Sequence, residues 1–420
     1  MKSDPKSDSK RAVPPPSTES QPLWIRAVLG SDAASARVLL LVHVNIVVYA
    51  FAYWLTQPML PFLSKQLGVS DLSFGFLSTV FSVSQLIGGP IIGRLCDTHG
   101  ARLALQVSQA GAGLSYALLG AASSVEWLFA SRVASITMHA MHASQAFIAV
   151  YSLPSLRAAA LGRLSLSYGI GMVAGSSVGG LLSAALGYAA VGYLAALLSV
   201  AFIALNAALL PAIAAAPSSS SSSASVLDLS TVFQLLRNAR VARVLAFQIL
   251  LGTAISMYHT TFSIAAATRF GFDASTLGFF QSAGAVLGVL ANTLLVGAVI
   301  DFFGGNDARV LQLCAAVFAA CFVAYALVVS SVTGLFVLGV PFSIASSLFY
   351  TVATSALSKS VDNSNAVAGT TIGLGHAARS FCGIVGPTLG GLISQQMQFE
   401  AVGIASAAIS LAALFAIGGS

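Results

Sequence analysis

Charge is what this sequence has least of. Its 420 residues include 13 Asp and Glu and 19 Lys and Arg, 8% charged against 57% hydrophobic. A water-soluble domain carries about 25% charged residues, so the chain lacks the groups to solvate its own surface, and a soluble fold is excluded. The mean hydropathy of +0.88 agrees. Acids are scarcest inside the apolar runs, where every Asp and Glu falls at a run end or in a loop. The four cysteines, Cys96, Cys314, Cys321 and Cys382, lie in or beside those runs without a loop pair, so free thiols are expected. No glycine loop closes on Lys-Ser/Thr for a phosphate, and nothing has catalytic-triad or metal-ligand spacing. Neither an enzyme, a metal nor a cofactor is expected.

Long apolar runs are what the chain does have. A spanning helix needs about 20 mostly apolar residues. Twelve such runs are predicted, at roughly 37–60, 72–94, 102–122, 126–150, 161–185, 188–210, 243–267, 275–300, 309–329, 333–357, 366–392 and 399–417. They are continuous and rich in Ala, Leu and Gly, unlike the alternating stretches of about 10 residues that build a membrane barrel. The fold class expected is all-α integral membrane, with the lipid bilayer as its surroundings. Residues 1–36, polar and carrying Pro14-Pro15-Pro16, read as a disordered cytoplasmic tail, with the first run acting as the insertion signal. Six runs fill 37–210, a Ser-rich linker with Ser218–Ser223 occupies 211–242, and six more fill 243–420.

The formal charge of +6 raises the possibility of nucleic acid, but topology accounts for it better. With the N-terminus inside, fifteen of the 19 Lys and Arg fall on the cytoplasmic side, Lys65 and Arg269 lie opposite, and Arg132 and Arg379 sit within runs. The positive-inside rule then puts both termini in the cytoplasm. No nucleic-acid partner is expected, and the protein is expected to be a monomer.

One phrase occurs twice. Gly93, Asp97, Gly100 and Arg102 mark a charged turn between the second and third runs, and Gly297, Asp301 and Gly304 repeat it between the eighth and ninth. The turn follows Leu72-Ser73-Phe74-Gly75 in one half and Ser275-Thr276-Leu277-Gly278 in the other, at nearly the same distance. Later, Gly175-Ser176-x-x-Gly179-Gly180 matches Gly386-Pro387-x-x-Gly390-Gly391. Two paired features in one order predict a six-plus-six duplication, a layout that commonly places a substrate site near the midplane between the halves.

These residues carry a family resemblance over the whole chain. Gly93-x3-Asp97-x2-Gly100-x-Arg102 resembles the signature between the second and third helices of the major facilitator superfamily. Leu128-x3-Arg132 resembles its second motif, and the two glycine phrases resemble the antiporter motif of its drug:proton exchangers. Thr98, Ile136 and Ser176 depart from the pattern, standing where a basic residue, a glycine and a proline are usual. The resemblance implies two six-helix bundles and a proton-coupled, alternating-access carrier of small organic solutes, with organic cations and drugs as its substrates.

The residues themselves leave several readings open. Asp97 and Asp301 lie where an acid of one half can meet the positive N-terminal end of a helix in the other, as a gate latch, or can simply cap its own helix. Arg132 stands about two turns into the fourth run, with Ser135, His139 and His142 following at offsets of three, seven and ten on the same stripe. It either faces a cavity or snorkels outward. Arg379 lies near the middle of the eleventh run, with His376 on its face. Neither arginine has a carboxylate at its depth, so anionic or zwitterionic solutes stand beside cations as substrates. Without buried acids, histidine is the side chain left for proton coupling. His139, His142, His259 and His376 are the candidates, each equally readable as a core residue. Asn45, Tyr49 and Gln57 line a pore or bond across helices. Gly175, Gly179, Gly180, Gly386, Pro387, Gly390 and Gly391 read as close helix packing whether or not antiport follows. A receptor or scaffold that kept the carrier fold is the alternative of a different class.

Overall fold

The computed structural model describes residues 33–151, 157–211, 235–360 and 365–418. Residues 1–32 of the expected tail and the Ser218–Ser223 run lie outside the described residues. Every regular element among those described is a helix. In chain order these are α1 Ala33–Thr56, α2 Leu60–Gln66, α3 Asp71–His99, α4 Ala101–Gly120, α5 Val125–Ala134, α6 Ala140–Tyr151, α7 Arg157–Leu186 and α8 Tyr188–Leu209. The second half holds α9 Ala239–Thr268, α10 Ala274–Leu290, α11 Val296–Phe302, α12 Asp307–Leu327, α13 Val332–Lys359 and α14 Asn365–Gly418.

Short polar side chains start these helices. Ser70, Asp273, Asn306 and Ser331 each accept a hydrogen bond from a backbone N–H in the first turn, satisfying donors that have no partner inside a helix. Bonds from the Thr276 hydroxyl and N–H hold the Asp273 carboxyl below its usual range. Gly100 (φ 91°) separates α3 from α4, and Gly304 (φ 62°) falls in the turn after α11. In both copies of the repeated turn, the left-handed residue is one that a side chain would strain.

Nine helical stretches among the described residues are long and apolar enough to cross a bilayer. Three features separate that number from the twelve runs. The third run is helical as α4 but carries Arg102, Gln106 and Gln109. The eleventh and twelfth runs share α14, divided only by the non-helical Gln398 (φ 73°). The fourth run is broken. A 3₁₀ turn at Ser135–Thr137 and the irregular Met138 and His139 separate α5 from α6. Other helices satisfy the freed carbonyls: Gln85 Nε2 donates to Ser135 O at 3.0 Å and Tyr49 OH to Met138 O at 2.7 Å. Broken backbone at membrane depth is tolerated where protein surrounds it in this way. The break also takes Arg132 and His139 off any common helical stripe. By contrast, the polar Tyr258–Thr261 stretch leaves α9 unbroken, because Thr261 turns its hydroxyl onto the Met257 carbonyl. A π turn at Ala291–Leu295 joins α10 to α11.

Buried apolar side chains form two clusters, one drawn from Ala36 to Leu210 and the other from Leu235 to Ile417. Large apolar side chains also cover the outside: Phe302 is 83% exposed, Phe415 78% and Leu294 66%. Such a surface suits hydrocarbon rather than water, and the protein is an integral, multi-pass membrane protein.

The glycine phrases set the helix spacing. Cβ atoms at Gly175 and Gly179 would collide with the Phe51 and Leu55 carbonyls of α1; at Gly386 and Gly390 they would collide with α9 at Ser256 and Met257. Gly180 and Gly391 instead abut the first residues of α10 and α3 in the opposite half. In return, Gly278 of α10 sits on the Ser176 carbonyl and Gly75 of α3 on the Pro387 carbonyl. Hydrogen bonds line the same two seams. Thr79 Oγ1 bonds Ile384 O and Thr388 Oγ1, both at 2.8 Å; Ser177 bonds Ser282 and Ser282 bonds Val173 O, also at 2.8 Å. Asp71 accepts from the Ser394 hydroxyl, and Ser275 donates to Gly180 O. Among the described residues, the hydrogen bonds between halves cluster toward the ends bearing Asp71 and Ala274, away from Asp97 and Asp301.

All four cysteines are free thiols. The packing makes one sharp prediction. Gly179→Ala forces α7 off the Leu55 carbonyl and costs about 1–3 kcal/mol, seen as a lower apparent Tm in detergent. Gly93→Ala and Gly297→Ala face open space and leave Tm unchanged or slightly raised. Equal losses in all three would overturn the packing role assigned to Gly179.

Candidate functional site

Two adjoining cavities lie in the interior, the larger between the halves and the smaller within the second half. The larger, about 660 Å³, is walled by Trp54, Gln57 and Tyr168 of the first half and by Tyr258, Phe280 and Phe336 of the second. Its aromatic rings give it the flat apolar walls typical of small-molecule sites, with a few polar groups for orientation. Asn292, at the π turn, also reaches this wall and accepts a 2.9 Å bond from Thr351. The smaller cavity, about 220 Å³, is bounded by Gln248, Ser256, Phe349, Arg379, Cys382 and Gly383, among others. His259 and Tyr350 belong to both walls. None of the described lining residues is Asp or Glu.

The structure sorts the expected pathway residues into three groups. His259 and Arg379 line cavities. Arg379 lies over the Tyr350 ring, its guanidinium carbon 4.6 Å from the centroid. It makes no hydrogen bond or ion pair among the described residues. His142 and His376 are exposed side chains within electrostatic reach of each other across the halves, and His376 is within reach of Arg379. The His142 ring in turn lies 5.2 Å from that of His139. Together these imidazoles form a row that leads from Arg379 of the smaller cavity away from the sealed seams. Arg132 lines neither cavity. It is buried, 5.6 Å over the Phe81 ring, with Nη2 unpartnered.

The repeated turn sits at the unsealed end. Asp97 and Asp301 are exposed and make no ion pair among the described residues. Arg102 donates to the Ala207 carbonyl near the end of α8, in its own half. Lys359 and Asp307, 2.9 Å apart, tie α13 to α12 at the same end. α14 begins at Asn365, and residues 361–364 immediately upstream lie outside the described residues.

Of the polar residues in the first run, Gln57 reaches the larger cavity. Asn45 turns back onto its own helix at Leu41 O, and Tyr49 holds the break after α5. Sequence reasoning did not find Gln248 or Tyr350. Gln248 carried a usable signal, being a lone amide within Val244-Leu245-Ala246-Phe247-Gln248-Ile249-Leu250-Leu251. Tyr350 carried none, since its role comes from Arg379 on another helix.

No family model matches the chain. Among curated proteins, solute carrier family 22 member 18 of Mus musculus is 35% identical over 347 residues, 80% of this chain and 84% of its own length. Solute carrier family 67 member A1 of Homo sapiens is 33% identical over 401 residues, 92% of this chain and 93% of its own. Multidrug resistance protein 1 of Bacillus subtilis is 25% identical over 359 residues, 83% and 87% of the two chains. Among solved structures, the nucleoside transporter NupG superposes with a TM-score of 0.74 at 16% identity, over 90% of this chain and 98% of that one. Two relatives above 30% identity span most of the sequence, and the fold superposes on that of a solved transporter. On these grounds the chain belongs to the major facilitator superfamily of secondary transporters.

Proposed function

We propose that this protein carries small organic solutes with a flat, apolar body by alternating access, with twelve spans in two six-helix bundles, 37–210 and 243–420, joined by the 211–242 linker. Both termini are cytoplasmic in this reading, and the unsealed end bearing Asp97 faces the cytoplasm. The observation that carries it is the aromatic cavity between halves that, among the described residues, meet by backbone contact at one end only. Such a site reaches one side at a time if the halves rock about it. The names of the relatives speak of multidrug resistance and solute carriage, which fits a roomy aromatic site. Protons are the proposed coupling partner, with His259 as the coupling residue, because it is the titratable imidazole on the wall common to both cavities. The acting unit is a monomer, since the cavity is built within one chain.

The latch reading for Asp97 follows from the same state. With the cytoplasmic end open, its carboxylate is unpaired; on closure it meets the N-terminal end of α14. Asp301 occupies the matching position without a counterpart to Arg102, so the Asp97 copy bears more of the closure.

Four outcomes test this reading. In proteoliposomes, an aromatic solute on the far side accelerates exchange of the labelled solute, and a pH gradient drives its net accumulation. His259→Asn retains exchange but loses the response to the gradient; loss of neither sinks the coupling role. Asp97→Asn, expressed normally, slows net transport about fivefold, the effect of losing ~1 kcal/mol from a carboxylate–helix contact; full transport removes the latch. Gly75→Leu and Gly278→Leu wedge open the sealed end. Each should shift spin-label distances across the two ends in opposite directions. A receptor or scaffold shows binding without exchange.

A further inference from the structure

We infer that the smaller cavity is a seat for an anionic headgroup, so the solute is an organic carboxylate whose aromatic body fills the larger cavity. This inference rests on the carrier reading above and names its substrate class.

Arg379 supplies the charge. A guanidinium over an aromatic ring keeps its in-plane N–H edges free, and those edges match the two oxygens of a carboxylate. Arg379 lies over Tyr350 in this way and bonds to no described residue. A cation near the middle of a membrane-spanning helix is costly and is held where it meets a cavity and a partner. No acid among the described lining residues serves as that partner.

A second observation points to the same place. Gln248, 3% exposed, lines the smaller cavity, and its Oε1 has no hydrogen-bond partner. A buried amide oxygen left without a partner is costly. Rotating the amide by half a turn presents its two N–H donors instead. The Ser256 hydroxyl adds a further donor on the same wall. Arg379, Gln248 and Ser256 thus form a donor-rich, acid-free pocket. A bound oxyanion accepts from Arg379 and Ser256 and, once the amide has turned, from Gln248; an ammonium group meets a like charge there and no carboxylate.

The walls fix the rest of the ligand. His259 and Tyr350 belong to both cavities, so a headgroup on Arg379 has its body among Trp54, Tyr168 and Phe280.

The test uses one ring with three headgroups. The full-length protein in proteoliposomes is given 2-naphthoate, 2-naphthamide and 2-naphthylmethylammonium, and affinities are read from competition against labelled 2-naphthoate and labelled 2-naphthamide. The carboxylate is expected to bind at least about tenfold tighter than either other probe, as a charge-assisted bidentate pair requires. Arg379→Gln brings the carboxylate-to-amide ratio to about one, Arg379→Lys keeps a reduced preference, and Gln248→Leu lowers the ratio a few-fold. Tighter binding of the ammonium probe, or a carboxylate preference that survives Arg379→Gln, overturns the headgroup seat while leaving the aromatic-cavity reading in place. Binding of none of the three probes overturns both.

Discussion

Two main-chain contacts hold this structure to its shape: Gly278 on the carbonyl of Ser176, and Gly75 on the carbonyl of Pro387. Each is a place where the two halves meet with no side chain between them. Small residues allow membrane helices to approach this closely where no hydrophobic driving force separates helix from lipid. The contacts come as a matching pair. In each glycine phrase, the first and fifth residues pack on a helix of the same half, and the sixth packs on the start of a helix in the other. A single short motif therefore fixes both the interior of a half and its seam with its twin.

The cavities follow from where that closeness ends. Beyond Gly169 and Gly383, the nearest groups across the seam are the Val289 and Ser82 side chains rather than backbone. The gap then widens toward Asp97, and aromatic residues occupy the space. Charge inside it is uniformly basic among the described residues, and each cation deals with its burial differently. Arg132 lies over Phe81 away from the cavities, and Arg379 over Tyr350 beside one. The same residue type at similar depth ends in two environments because α5 stops at Ala134 while α14 runs on past Arg379.

That difference also marks how far the sequence could be read. The apolar runs, the repeated turn and the glycine phrases are local patterns, and each produced the helices, the left-handed Gly100 and Gly304, and the close packing that its chemistry implies. The break after α5 was not legible, because the segment from Ser135 to His139 contains no proline or glycine. Its causes lie on other helices: Gln85 and Tyr49 supply donors, and Gly88 and Gly111 admit Ile136 and Thr137. The stripe joining Arg132 to His139 depended on an unbroken helix and was lost with it. Tyr350 was invisible for the same reason, since its part depends on a partner nearly thirty positions away on a different helix.

The π turn at Ala291–Leu295 reconciles two unequal spacings. From Gly75 to Asp97 the numbering advances by 22, and from Gly278 to Asp301 by 23. A π turn is what an α-helix forms when it accommodates one additional residue without losing its ends, and this one lies between Gly278 and Asp301. The odd residue is absorbed locally, so that both Asp97 and Asp301 still reach their turns. Asn292, which lines the larger cavity, lies within that π turn. The place where the second half takes up its extra residue is thus also a place where it shows the cavity a polar side chain.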